Sequence, residues 1–385
     1  MKFLILIEDY NLFYTRFLEQ NKELFNKFYD QKLNHLLAQK YYQADSLAQA
    51  LIKLDHQAKV IIPACNPLQL QWAKENNKKL FFKWHLQKPW RSFKSRFLKE
   101  YNTFDAIRDE IVLSQIETIK PDVVFVYSSI WLNINTIRKI KRLGAKTILQ
   151  WSCPITCRWN DLAFNKFDFV VSATKPLVNF FKQKKIKAFY WQQAFDSYTL
   201  TNTELADVKP KKDVVFIGNF VLGHDYRFEI IEYLLQKGVK IDVFGSGNDC
   251  IPSNSLLSKT IKPPIHGNEM NDLYKTYKIA LHIHTQGIKT DGIDWSSFAG
   301  AKRIFEITGI GVAMLASYQD NLKELFDKDE IITFKDKEEC LQKINHYLFY
   351  ENELILLAKK GHKKTLSNHT FDNRAIELLA LINNN

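Results

Sequence analysis

Residues able to do chemistry recur at one kind of place in this chain, directly behind short apolar runs. In the second half these are Gly218-Asn219-Phe220, Gly245-Ser246-Gly247, His266-Gly267, His284-Thr285-Gln286 and the stretch leading into Lys302-Arg303-Ile304-Phe305-Glu306. Glycine behind a strand lets backbone N–H groups approach a phosphate, and a following helix adds a favourable dipole. That outlines a site for a nucleoside diphosphate; the alternative is that each glycine only makes a turn. No GxGxxG follows the first strand and no GxxxxGK[ST] appears, so neither a dinucleotide fingerprint nor a P-loop is supported. HExxH and GxSxG are absent too, and metal dependence is not indicated.

The elements that must position these residues alternate in kind. Lys2–Ile7, 58–63, Val123–Tyr127, 145–151, Phe169–Ser172 and 188–191 read as strands, with helices over 45–54, 104–119 and 134–143. Continuous apolar strands separated by helices predict a parallel sheet covered on both faces. The polar stretch Ser197–Lys212 interrupts the rhythm and reads as a linker. The rhythm then restarts, with strands over 213–218, 239–244, 279–284 and 312–316. Helices are expected over 227–237, 268–278, 299–308, 321–326, 337–350, 351–360 and 372–383. The chain therefore reads as two Rossmann-like α/β halves: 1–200, 201–370, and a last helix over 371–385 expected to pack at the junction.

Composition narrows the class. The 385 residues carry 54 Lys+Arg against 42 Asp+Glu, a net charge of +12, which favours anionic partners: nucleotides, phosphates, anionic lipid or nucleic acid. No RNP, zinc-finger or helix-turn-helix signature supports nucleic acid. The apolar run Phe3–Ile7 is too short for a signal peptide and reads as a first strand, and no stretch approaches a spanning helix. Five cysteines without a CxxC pair point to reduced thiols in a cytoplasm. Residues 81–99 stand apart, with Lys83, Lys88, Arg91, Lys94, Arg96 and Lys99 and no acid. Trp90, Phe93 and Phe97 lie on one helical face. Such a segment reads either as a peripheral membrane-surface helix or as an aromatic stripe packed into the first domain.

Several motifs together resemble the GT-B glycosyltransferases, with the CgeB-like and group 1 families nearest. Arg303-Ile304-Phe305-Glu306-Ile307-Thr308-Gly309 followed by Val312-Ala313-Met314-Leu315 resembles their RxFE…G…LL signature. His224-Asp225-Tyr226-Arg227 resembles HxxR, and His369-Thr370-Phe371-Asp372-Asn373-Arg374 resembles a terminal HT…R segment. Pro121–Phe125, Trp151–Pro154 and Gln193–Asp196 are similar in the first half. The resemblance implies two Rossmann-like domains with a cleft between them and the nucleotide-sugar donor in the second. It implies Glu306 on the ribose hydroxyls, a role for which a carboxylate is suited as a double acceptor. Arg303 would face the diphosphate or pair with Glu306. Arg227 and Lys302 would offset pyrophosphate charge, with Gly218 and Asn219 as the close-approach turn; Gly245 and His266 complete the donor set. His224 and His284 would bind phosphate or sugar hydroxyls, or be structural; His282 reads as a packed core histidine.

Many retaining relatives carry a second Glu seven residues before the ribose Glu; here that position falls near Phe298 or Ala299, which leaves the stereochemistry open. Glu8 and Asp9 follow the first strand, where an inverting mechanism would need a base; capping is the other reading. The expectation is a glycosyltransferase using a nucleotide-sugar donor, without metal or other cofactor. Its acceptor would be a saccharide, glycolipid or protein-linked glycan, in the cytoplasm or at the inner membrane face. The alternatives are another GT-B enzyme, such as a nucleotide-sugar epimerase, or a non-catalytic binding protein.

Overall fold

In the computed structural model, the described residues are 1–7, 17–40, 44–86, 103–127, 134–152, 164–200, 210, 212–220, 225–247, 250–284, 289–290, 293–294 and 302–385. They form two compact units. Of these residues, 1–152, 164–172 and Val178–Tyr190 belong to the first, and Ala173–Leu177 with those from Trp191 to Asn385 to the second.

The first unit is built on a six-stranded, all-parallel sheet. Its strands are β1 (Lys2–Ile7), β2 (Gln57–Ile61), β3 (Val123–Tyr127), β4 (Lys146–Gln150), β5 (Phe169–Ser172) and β6 (Ala188–Tyr190), in the order β2-β1-β3-β4-β5-β6. Every residue of β3 and β5 is buried. That is why these strands read as unbroken apolar runs: helices cover both faces. The helices are α1 (Tyr29–Ala38), α2 (Ala44–Lys53), α3 (Asn66–Asn76), α4 (Lys78–Leu86), α5 (Thr103–Ile119), α6 (Ile134–Arg142) and α7 (Lys175–Gln183). In α6 the buried Ile137 and Ile140 alternate with Arg138, Lys139, Lys141 and Arg142, a period of three to four that sets the buried stripe.

In α4, Trp84 is buried and Lys83 pairs with Glu110 of α5, while Phe82 and Leu86 stand 59% and 77% exposed. The rest of the basic aromatic segment, including Trp90, Phe93 and Phe97, lies outside the described residues. No helix among the described residues is long and apolar enough to cross a membrane.

The second unit holds a five-stranded parallel sheet and a short antiparallel ribbon. The strands are β7 (Lys212–Ile217), β8 (Ile241–Phe244), β9 (Tyr277–His282), the ribbon β10 (Lys289–Thr290) and β11 (Ile293–Asp294), β12 (Ala313–Ser317) and β13 (Ile332–Phe334). The order of the main sheet is β13-β12-β9-β7-β8. Side chains alternate between two cores, as a pleated strand requires. Val214 and Phe216 enter a cluster with Ile230, Ile231 and Leu234 of α8 (Asp225–Gln236). Val215 and Ile217 enter another, with Met270 and Tyr274 of α10 (Gly267–Tyr274) and Ile304, Phe305 and Ile307 of α11 (Arg303–Gly309). Before α10 lies α9 (Leu256–Thr260); α12 (Leu322–Leu325), α13 (Lys337–Phe349), α14 (Glu351–Asn368) and α15 (Phe371–Asn383) follow β12.

The terminal helix α15 is tied to residues 191–198. Trp191 Nε1 donates to the Arg374 carbonyl at 3.0 Å, and Arg374 Nε donates to the Gln193 carbonyl at 3.2 Å. Tyr198 Oη donates to Asp372 at 2.6 Å, and Phe195 pairs through its backbone with His369 and Phe371. These bonds place Trp191–Leu200 with the second unit, earlier in the chain than the polar linker suggests. Of that linker, 197–199 form a short 3-10 turn capped by Asp196, and Lys212 already begins β7.

Candidate functional site

The strand order of the second unit defines where a ligand should sit. The chain passes from β7 to β8 on one side, then crosses to β9 on the other. In open parallel sheets, ligands bind beyond the carboxyl ends of strands where the order reverses. Here that point lies between Gly218-Asn219 behind β7 and Ile283-His284 behind β9.

Arg227, in the first turn of α8, spans the two strand ends. Its Nη1 donates to the Asn219 carbonyl and its Nη2 to the Ile283 carbonyl at 2.9 Å. The guanidinium lies 5.6 Å from the Phe216 ring centroid. Burial, then the charge of Arg303, lowers its pKa to about 10, so it stays cationic at neutral pH. Asn219 is fixed by Ser246, whose hydroxyl donates to its Oδ1 at 2.9 Å.

The glycines behind β8 serve the chain's own packing. A Cβ on Gly245 would lie 2.0 Å from the Gly218 carbonyl oxygen, and the Gly245 N–H donates to the Lys262 carbonyl at 3.0 Å. Gly247 takes φ +99, and a Cβ there would meet the Phe220 carbonyl oxygen at 1.6 Å. The close approach anticipated for a phosphate is thus, at Gly245, an approach of backbone to backbone.

Glu306 in α11 is 2% exposed and carries two cations. Lys302 Nζ lies 3.2 Å from Oε1, and Arg303 Nη1 lies 3.2 Å from Oε2. Burial pushes the carboxyl upward, but the charges of Lys302 and Arg303 outweigh it and hold it below its usual value. Glu306 is therefore ionised and acceptor-only. Arg303 also contacts Met270 Sδ and lies over the Tyr274 ring, 6.0 Å from its centroid. His266, the N-cap residue of α10, has its pKa lowered by burial, then by Arg303 and Lys302.

His282 and His284 stand at the end of β9 with ring centroids 4.4 Å apart. His284 Nδ1 lies 3.0 Å from the Ser317 carbonyl, and its backbone N–H donates to Ser317 Oγ at 2.8 Å. Burial, partly countered by the Ser317 hydrogen bond, brings the His284 pKa down to about 4. His282 is held well below its ordinary value, by burial first and then by His284, Arg227 and Arg303. Both rings are neutral at pH 7.

The structure thus brings Gly218, Asn219, Arg227, Gly245 and His284 to the carboxyl side of one sheet. His266, Lys302, Arg303 and Glu306 are coupled to one another there. Glu8, Asp9 and His224 lie outside the described residues, as do Phe298 and Ala299. Ser317, which orients His284, was not singled out in the sequence; its signal is a small polar residue ending an otherwise apolar strand. The HT…R segment holds the fold instead of facing this site. His369 Nε2 bonds the Leu325 carbonyl at 3.0 Å, its Nδ1 accepts from Arg374 at 3.1 Å, and its ring stacks near Phe305 and Phe326. No group of three or more metal-ligating side chains occurs among the described residues.

Two parallel-sheet α/β units of this kind define the GT-B fold, and solved structures share it along the whole chain. Sucrose-phosphate synthase of Thermosynechococcus elongatus superposes with a TM-score of 0.56 at 8% identity, covering 100% of this chain and 99% of its own. HepE of Anabaena, solved with UDP-glucose, gives 0.56 at 8%, covering 99% and 100%. A glycosyltransferase from Rickettsia africae gives 0.55 at 13%, covering 99% and 97%. Residues 227–380 match the family model described as glycosyl transferase-like, and the fold along the whole chain is GT-B. No curated protein sequence matches the chain. The resemblance to GT-B glycosyltransferases is borne out; the narrower CgeB-like group is named by none of these matches.

Proposed function

We propose that the chain transfers a sugar from a nucleoside-diphosphate sugar, bound in its second unit, to a hydroxyl of a saccharide, glycolipid or protein-linked glycan. The observation that carries this reading is the buried, ionised Glu306 flanked by Lys302 and Arg303, with the charge of Arg303 acting on Arg227 at the β7–β9 switch point. The carboxylate accepts two hydrogen bonds from vicinal ribose hydroxyls. The cations stabilise the charge that develops on the diphosphate as the bond from the anomeric carbon breaks. They take the part a divalent cation plays elsewhere, and transfer is proposed to proceed without metal. The acceptor oxygen forms the new bond and passes its proton to a base. Glu8 and Asp9, which follow β1, are the candidates for that base. HepE's complex with UDP-glucose makes a uridine nucleotide the first donor to try.

The test is thermal stabilisation by UDP, GDP, ADP, CDP and dTDP, on wild type and on Glu306→Gln, each with and without EDTA. A ligand that binds only the folded protein raises its stability with the logarithm of ligand excess. One nucleotide should shift the wild type by several degrees and the variant much less, with or without EDTA. Equal shifts for both proteins would remove Glu306 from the ribose.

A further inference from the structure

The two histidines at the end of β9 pose a hydrogen-bonding problem that the described residues do not solve. His284 is 6% exposed and His282 8%. The Nε2 atoms of both are buried without a hydrogen-bond partner among the described residues. Buried polar atoms are nearly always paired, so two orphans side by side need a reason.

The tautomer of His284 can be read from its other nitrogen. Nδ1 faces the Ser317 carbonyl at 3.0 Å, and a carbonyl oxygen only accepts. Nδ1 therefore carries the proton, and the adjacent Ser317 hydroxyl, 3.1 Å away, fits as a second acceptor. In a neutral ring Nε2 is then a bare lone pair. A lone pair cannot bind a phosphate oxygen, because both would be acceptors. A metal ion is the other partner such a nitrogen takes, and a carbonyl on the far nitrogen would suit one. Here the charges of Arg227 and Arg303 act on His282, that of Arg227 acts on His284, and Arg227 is bonded to the carbonyl of Ile283 between them. A cation would enter against those charges. What remains is a hydrogen-bond donor without charge.

We propose that His284 Nε2 accepts a hydrogen bond from a hydroxyl of the bound nucleotide-sugar, with Ser317 as the positioning residue that fixes the accepting tautomer. This rests on the nucleotide-sugar reading of the site above. It also divides the labour there: Arg227, Lys302 and Arg303 read charge, and His284 reads a neutral hydroxyl. A ligand lacking that hydroxyl would leave Nε2 buried and unpaired, which makes the residue a determinant of specificity.

The test uses His284→Asn, which keeps a side-chain N–H for the Ser317 carbonyl and removes the acceptor at Nε2, and His284→Gln, which returns an acceptor near that point. Affinities for UDP, GDP and ADP, and for their glucose conjugates, are measured by calorimetry on the full chain. We expect His284→Asn to melt like the wild type without ligand and to bind roughly ten-fold more weakly, the scale of one hydrogen bond, with partial recovery in His284→Gln. A deficit already present with the nucleoside diphosphate assigns the hydroxyl to the ribose; one present only with the conjugate assigns it to the transferred sugar. Undiminished affinity in His284→Asn overturns this inference alone, and failure of every nucleotide to bind the wild type overturns it together with the glycosyltransferase reading. Should the variants not fold, nitrogen NMR of the wild-type imidazole decides: a protonated Nε2 in the unliganded chain, or an Nε2 shift unchanged by saturating nucleotide-sugar, overturns it.

Discussion

Glu306 keeps its charge in a buried place because two cations meet it within its own helix and the residue before it, three and four positions away. The histidines show the opposite solution. His284 and His369 each have burial as the main cause of a pKa near 4, against 6.5 for an ordinary histidine. Both are neutral in the fold, while the unfolded chain binds a proton near pH 6.5. The unfolded state thus takes up more protons between those values, so stability is fully present above pH 6.5 and falls as pH drops toward 4. Each such histidine accounts for about 3 kcal/mol of that loss. Urea titrations from pH 7.5 to 4 should show the decline, and His369→Gln should flatten its share of it. A variant with the wild-type slope would show that His369 is not held neutral by the fold.

At the scale of elements, the glycine of the RxFE…G motif has a packing reason. A Cβ on Gly309 would lie 2.3 Å from the buried Phe195 ring, and Phe195 is joined through its backbone to His369 and Phe371. Gly309→Ala should therefore overpack the junction of α11 with the 191–198 segment and cost about 1–3 kcal/mol, read as a Tm lower by a few degrees. An unchanged Tm would mean Phe195 has room to move. This contact also shows what was legible from sequence. Apolar runs placed β3 and β5 to the residue, and amphipathic spacing placed α5, α13 and α15 within a residue or two. The helix read over 351–360 runs on to Asn368 through Gly361, where only a bare Cα tolerates the Glu330 carbonyl, 2.4 Å from where a Cβ would be. Helix α3 gave no signal, since Leu68, Gln69, Trp72 and Ala73 bury a mixed stripe that includes an amide bonded to the Ile62 carbonyl. Residues fixed by a distant partner, such as Ser317 beneath His284, cannot be found from spacing. Glu306, Arg303 and Arg227 could be, because short motifs carry them.

At the scale of the whole molecule, the residues proposed to bind the donor belong to one unit. Arg227, His266, His282, His284, Lys302, Arg303 and Glu306 all lie between Trp191 and Asn385, and so do both cores that flank their sheet. The only described part of that unit from earlier in the chain is Ala173–Leu177. The terminal helix α15 closes on Trp191, Gln193 and Tyr198, so a fragment keeping these contacts retains its own closure. About 200 residues with a complete parallel sheet is an ordinary size for an independent domain. A fragment from Ala173 to Asn385 should therefore fold and be stabilised by the same nucleotide that stabilises the full chain, within a few-fold in Kd, while transferring no sugar. The missing transfer follows because the first unit carries the candidates for the base. A fragment that folds, by circular dichroism and cooperative melting, yet binds no nucleotide would show that residues of the first unit complete the donor site. A binding constant equal to that of the full chain would confine donor recognition to the second unit and leave acceptor choice to the first.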